Sequence, residues 1–135
     1  MIFGKKNTMR MLTGILFAAL LPAAAAAQDQ ESACRDAQTQ LELNECSARA
    51  YQSADGALND AYKAAMAVVK DWSSDSQDKL RDAQRLWIAY RDKACEIHVY
   101  PQSGSITPLL VNECLLKITR DRTTDLESLA QGLGN

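Results

Sequence analysis

Four cysteines, Cys34, Cys46, Cys95 and Cys114, and one histidine, His98, are the side chains of this sequence with the most chemistry open to them. Thiols can hold a metal, attack a substrate or join as disulfides, and spacing separates these options. No C-x-x-C occurs, and His98 stands outside any cluster of ligand-type residues, so the cysteines do not read as a zinc site. A hydrolase needs a nucleophile beside a histidine that a third group orients, and His98 alone completes no such set. Glu42 with Glu45, and Asp78 with Asp82, place carboxylates on shared helical faces, where acidic pairs read as solvated surface. No glycine-rich phosphate loop is present. The expectation is a protein that is not an enzyme and uses no metal or cofactor, with its cysteines spent on two structural disulfides.

Disulfides imply an oxidising compartment, and the N-terminus agrees. Lys5, Lys6 and Arg10 precede an apolar run from Met11 to Leu21, followed by Pro22 and a small-residue stretch to Ala27. That is the pattern of a secretory signal peptide over residues 1–27, and the run is shorter than the roughly 20 residues a membrane span requires. The first cysteine, Cys34, lies beyond lipidation position, so no lipid anchor and no stable membrane insertion are expected. Residues 28–135 then form a single small domain of periplasmic or secreted location. Removing residues 1–27 takes away three basic residues and no acidic one from a chain of formal charge −2. An acidic domain argues against nucleic acid and leaves a basic protein partner open.

The elements that must position these cysteines read as helices. Thr39 followed by Glu42 gives a capping box, so a first helix starts at Thr39 and presents Tyr51, Leu58, Tyr62, Ala65, Met66 and Val69 on one face. Ser53 to Gly56 predicts either a soft point in one long helix or two abutting helices, because glycine costs about 1 kcal/mol relative to alanine inside a helix. Asp71 to Ser76 is a loop. A second helix spans about Ser76 to Ile97, with Leu80, Ala83, Trp87, Tyr90, Ala94 and Ile97 as its apolar stripe. After an irregular segment containing Pro101 and Gly104, a third helix runs from Thr107, as cap, to about Ala130, with Pro108 in its first position and Leu109, Leu110, Leu116 and Leu126 as candidate core. The fold class is all-α: a small disulfide-stapled bundle of three main helices, a long antiparallel hairpin plus a third helix.

Within this frame two stretches repeat. TQLELNEC ends at Cys46 and TPLLVNEC ends at Cys114, matching at five of eight positions. Each places a cysteine about two turns into a helix, roughly 10 Å along its axis at 1.5 Å per residue, within reach of a segment folding back over the helix start. The nearest partners are Cys34 for Cys46 and Cys95 for Cys114, the favoured pairing. The rival joins Cys46 to Cys95 and Cys34 to Cys114, since an antiparallel hairpin brings the start of its first helix near the end of its second. A local bridge closing roughly 12 to 20 residues is worth about 3 kcal/mol in the chain-entropy model.

Spaced residues through most of the sequence carry a resemblance. Cys34, Thr39, Glu42, Leu43, Asn44 and Cys46, then Tyr51, Ala54, Asp55, Leu58, Asn59 and Tyr62, then Ala83, Gln84, Trp87, Tyr90, Arg91, Asp92 and Cys95, and finally Gly104, Ser105, Cys114, Thr119, Arg122 and Leu126 resemble the LprI-like family of small exported bacterial proteins. The family takes its name from a lysozyme inhibitor, so the resemblance implies a protein that binds a basic peptidoglycan hydrolase and blocks its cleft. The alternative is a noncatalytic helical interaction module supporting the cell envelope. The resemblance also points to Asp55, Asn59 and Arg91, readable as a binding site or, preferably, as an interhelix polar clamp. For an inhibitor, the segment from His98 to Thr107 is the candidate projection, offering His98, Tyr100, Ser103, Gly104 and Ser105 to a partner, with a Cys95–Cys114 bridge limiting its ordering cost.

Overall fold

The computed structural model describes residues 34–99 and 103–132; the apolar N-terminal run and Tyr100 lie outside them. Three helices account for most of the described chain: α1 over Gln40–Val69, α2 over Ser76–Glu96 and α3 over Thr107–Ala130, with a single 3₁₀ turn, Ile97–Val99, continuing from α2. No strand occurs among the described residues, and the architecture is an all-α bundle.

α1 begins with both halves of its capping box formed. The Glu42 N–H donates to Thr39 Oγ1 at 3.2 Å, and Glu42 Oε2 accepts from the backbone N–H groups of Thr39 at 2.9 Å and Gln38 at 2.7 Å. The helix then passes through Ser53 to Gly56 as one unbroken element. Gly56 is exposed while Ala54 and Leu58 on either side are buried, so packing holds the backbone across the glycine. At α3 the start differs by one residue from the sequence expectation. Ile106 occupies the cap position and Thr107 lies inside the first turn, its hydroxyl accepting from the Gly104 N–H at 2.9 Å and so closing the preceding turn instead of capping the helix.

The backbones of α1 and α3 approach each other most closely, while α2 stands further from α1. Side-chain size explains this. On α1, Ser47, Ala54 and Ala61 recur every seven residues and interleave with Leu58 and Ala65; on α3 the buried positions are Thr119, Thr123 and Leu126, at alternating steps of four and three. Mostly small side chains along this seam let two helices close to short range, as heptad packing allows. Thr119 is fully buried with its hydroxyl unpaired among the described residues, so its small bulk is what it supplies there. α1 and α3 run parallel: Asn44 near the start of α1 meets Asn112 near the start of α3, and Ala65 and Val69 near the end of α1 cluster with Leu126 near the end of α3. α2 runs antiparallel to both and contributes Leu80 to that cluster, with Trp87, Tyr62, Met66 and Leu129 packed around it.

The stripe expected on α2 is corrected by the structure. Leu80 is buried and Trp87 half-buried, but Ala83, Tyr90 and Ile97 face solvent, and the inward positions are Gln84, Arg91 and Cys95. Tyr90, at 62% exposure, is not a core residue. Leu80 and Trp87 belong to both stripes, so the inward face is turned by less than the about 100° of one residue step, toward Gln84 and Arg91, which pair with Arg122 and Asp55, and toward Cys95, which is bonded to Cys114.

Candidate functional site

The bundle has one end where α1 and α3 begin and α2 finishes, and the chemistry-bearing residues gather there and just above it. Cys34 is bonded to Cys46 with Cα atoms 5.5 Å apart, and Cys95 to Cys114 with Cα atoms 5.6 Å apart. No cysteine is free among the described residues. The first bridge pins the lead-in segment against the second turn of α1. The second joins the end of α2 to the second turn of α3, so both flanks of the intervening 3₁₀ turn and loop are held.

The repeated Asn-Glu-Cys motif has a second use that its cysteines concealed. The two copies lie side by side on the parallel helices, and their asparagines join them. Asn112 Nδ2 donates to Ser47 Oγ at 3.1 Å and to the Asn44 carbonyl at 3.5 Å, while the Ser47 hydroxyl donates to the same carbonyl at 2.9 Å. Asn44 Nδ2 in turn donates to the Ser105 carbonyl at 2.8 Å, docking the loop on α1. Sequence reasoning gave no role to Asn44, Ser47 or Asn112; the shared Asn of the repeat was the signal that could have found the two asparagines.

Around this stapled end the surface is open. His98 sits exposed in the 3₁₀ turn with no hydrogen bond or ion pair among the described residues, and Ser103, Gly104 and Ser105 are exposed beyond it. Ile97, Val99, Ile106, Leu110 and Leu41 are also substantially solvent-facing. Among the described residues no interaction joins His98 to Ser103 or Ser105.

One level up, Arg91 of α2 enters the bundle with its side chain only 9% exposed. Its Nη1 donates to Asp55 of α1 at 3.0 Å, and its Nε and Nη2 to the neighbouring Asp92 at 2.9 Å. The guanidinium lies over two rings, 5.5 Å from the centroid of Tyr51 and 5.2 Å from that of Trp87. Cation–π contact with two rings and forked hydrogen bonds at the edge match the charge and planar shape of arginine. Burial works against the charge, yet the hydrogen bonds and fields of Asp92, Tyr51 and Asp55 outweigh it and hold Arg91 above its ordinary pKa. Burial also raises Tyr51, opposed by Arg91 and reinforced by Asp55 and Asp92. Asn59 donates to the second oxygen of Asp55 at a long 3.4 Å. Asp55, Asn59 and Arg91 thus come together, although Asn59 itself remains exposed.

Among the described residues, no group of histidine, cysteine, aspartate and glutamate side chains could hold a metal ion, and no helix is long and apolar enough to cross a membrane. Comparison with known proteins finds that residues 23–126 match the family model described as lysozyme inhibitor LprI. An uncharacterized protein of Rhizobium meliloti (strain 1021) is 36% identical over 124 residues, an alignment covering 84% of this chain and 89% of that relative. No solved structure matches the chain.

Proposed function

The chain belongs to the LprI lysozyme-inhibitor family, and from that premise we propose that it is an exported inhibitor whose stapled end engages a basic peptidoglycan hydrolase and obstructs its cleft. Family membership implies a lysozyme-inhibitor-like role and a protein partner; the target and the mode of binding are this proposal. The observation that carries the mode is the Cys95–Cys114 bridge, which fixes both flanks of a segment presenting His98, unpaired among the described residues, together with Ser103, Gly104 and Ser105. A tethered segment loses less freedom on binding than a slack one. Tyr100 joins the proposed contact set from its place in the sequence, between His98 and Ser103. Exposed Ile97, Val99, Ile106 and Leu110 supply apolar area around these polar groups, the mixture that protein interfaces use.

Electrostatics supports the same partner class. The chain is acidic, with a formal charge of −2 that becomes more negative if residues 1–27 are removed as the signal peptide we propose. A strongly basic hydrolase would be drawn to it at low ionic strength. In this proposal His98 or a loop serine meets the acidic pair that glycoside hydrolases carry in their groove.

The test is a cell-wall clearing assay in which c-type, g-type and i-type lysozymes are mixed with the oxidised, exported protein. Inhibition of at least one class at micromolar protein is expected, with His98→Ala and Ser105→Ala weakening it. Clearing at the uninhibited rate with all three classes would reject the proposal.

A further inference from the structure

Because α2 stands off α1, a groove of about 340 Å³ opens between them, away from the stapled end and next to the Arg91 ion pair. Its charge runs opposite to that of the whole chain. Three arginines, Arg81, Arg85 and Arg91, line it against a single acid, Asp55, and Arg91 is already committed to that acid. Arg81 and Arg85 are not used up in the same way. Each reaches back one turn to an aspartate outside the groove, Arg81 to Asp78 and Arg85 to Asp82, the latter at a loose 3.9 Å. A guanidinium carries five N–H donors, so most of theirs remain open, and at i and i+4 the two side chains share one helical face.

A third donor is fixed in position from behind. Gln84 lines the groove at 7% exposure, and its Oε1 accepts from Arg122 Nε at 3.1 Å. With the oxygen committed to Arg122, the amide nitrogen is the remaining end, and no acceptor meets it among the described residues. Thr119 Oγ1 is the one side-chain polar atom both buried and unpaired among the described residues, so this nitrogen keeps contact with solvent and stays open to a ligand. Asn59 and an apolar surface complete the lining: Leu58 is buried, and Tyr62 and Ile88 are partly exposed on facing helices.

We propose that this groove binds a carboxylate carried on a small apolar stem, the carboxylate accepting from Gln84 Nε2 and the guanidinium groups of Arg81 and Arg85 while the stem lies against Tyr62 and Ile88. Planar bidentate donation suits a carboxylate, and the apolar walls would leave a bare inorganic anion half-contacted. A simple fatty acid and the C-terminus of a short peptide share this chemistry. The site is independent of the stapled end and of lysozyme inhibition.

The experiment is an NMR titration of the ¹⁵N-labelled, oxidised protein purified from an exporting host. The probes are hexanoate, acetyl-Ala-Ala with a free C-terminus, the same dipeptide as its C-terminal amide, and inorganic phosphate. Saturable shifts confined to residues 55–62 and 81–91 are expected with at least one of the two carboxylates and with neither the amide nor phosphate. The tighter of hexanoate and the dipeptide identifies the source. Arg81→Gln and Arg85→Gln, both at solvent-accessible positions, should each weaken binding about tenfold through loss of a charge-assisted contact, while the melting curve stays in place. Acid and amide binding alike, phosphate binding alone, shifts that map elsewhere, or binding that survives the double Arg81→Gln, Arg85→Gln variant would overturn the proposal. Because these variants leave the loop at 97–106 intact, their effect on carboxylate binding is read separately from any effect on lysozyme clearing.

Discussion

At the end of the bundle where α1 and α3 finish, Leu58, Ala61, Ala65, Val69, Leu80 and Leu126 form a closed aliphatic cluster. At the opposite end, the buried side chains among the described residues are Cys46, Ser47 and Cys95, while Leu41, Ile97, Ile106 and Leu110 face outward. One end is held by exclusion of water and the other by two covalent bonds and a chain of amide contacts. The difference separates what a small domain needs to fold from what it needs to bind. An end that needs no large apolar side chains inside can place them outside, where a partner can cover them.

The largest effect should come from breaking the packed end. Leu126 is 1% exposed and sits in the aliphatic cluster, so Leu126→Ala should cost about 3 to 4 kcal/mol from lost transfer energy plus the cavity left behind. Urea unfolding should show this as a lower midpoint of one cooperative transition. Next in size, Cys95→Ser with Cys114→Ser removes a bridge across 19 residues and should cost about 3 kcal/mol. Here the comparison sharpens. Hydrogen exchange should accelerate for amides of α3 near its start and at the end of α2, while amides around Val69 and Leu126 follow global stability alone. Uniform acceleration would mean that the two ends do not differ in kind.

Between the ends stands Arg91. Arg91→Met keeps much of the bulk and the contact with Tyr51 and Trp87 but removes the charge. Asp55 and Asp92 are 40% and 56% exposed, so water can solvate the carboxylates left behind. The expected loss is about 1 to 2 kcal/mol, below the range for breaking a fully buried pair. Tyr51 reports the same change. Arg91 currently opposes the upward pull of burial on that phenol, so an ultraviolet titration of the variant should show Tyr51 ionising at still higher pH. A phenol whose folded pKa is raised contributes stability below its ordinary value, and that contribution is lost as pH climbs through the folded value.

Which parts of this were legible in the sequence follows from how local each signal is. The capping box at Thr39 and Glu42, and the span of α2 from Ser76 to within a residue of its end, depend on a few adjacent residues, and they formed where the pattern placed them. The orientation of α2 depends on its neighbours. Its sequence carries two candidate stripes that share Leu80 and Trp87, and the one through Ala83, Tyr90 and Ile97 is the more apolar, yet Gln84 and Arg91 turn inward because Arg122 and Asp55 wait there. Hydrophobicity could not reveal that a guanidinium over two aromatic rings occupies a buried position as an aliphatic side chain would. Nor could it show that α1 would close on α3 in preference to α2, since that follows from small residues on two helices separated by a third. The asparagines of the repeat were in plain sight, but Asn112 donates to Ser47 and Asn44 of α1 and Asn44 to the loop carbonyl of Ser105, partners far away in sequence.

The smallest expected effect tests the stapled end from the side of charge. Glu42 is held below its ordinary pKa by the backbone N–H groups of Gln38 and Thr39, with the Thr39 hydroxyl assisting, and it stands in the first turn of α1, where the helix dipole also favours a negative group. A depressed carboxylate stabilises the fold above its unfolded value and loses that contribution as pH falls through the folded one. Glu42→Gln keeps a side-chain acceptor for the same two N–H groups and removes only the charge. At neutral pH the variant should therefore melt at a slightly lower temperature than the parent, and the gap should close as the pH drops past the ordinary carboxylate range. The Cys34–Cys46 bridge, 12 residues apart in sequence, spans this same turn. Reducing the protein should widen the gap at neutral pH if the cap and the bridge hold the lead-in segment together, and leave it unchanged if each acts alone.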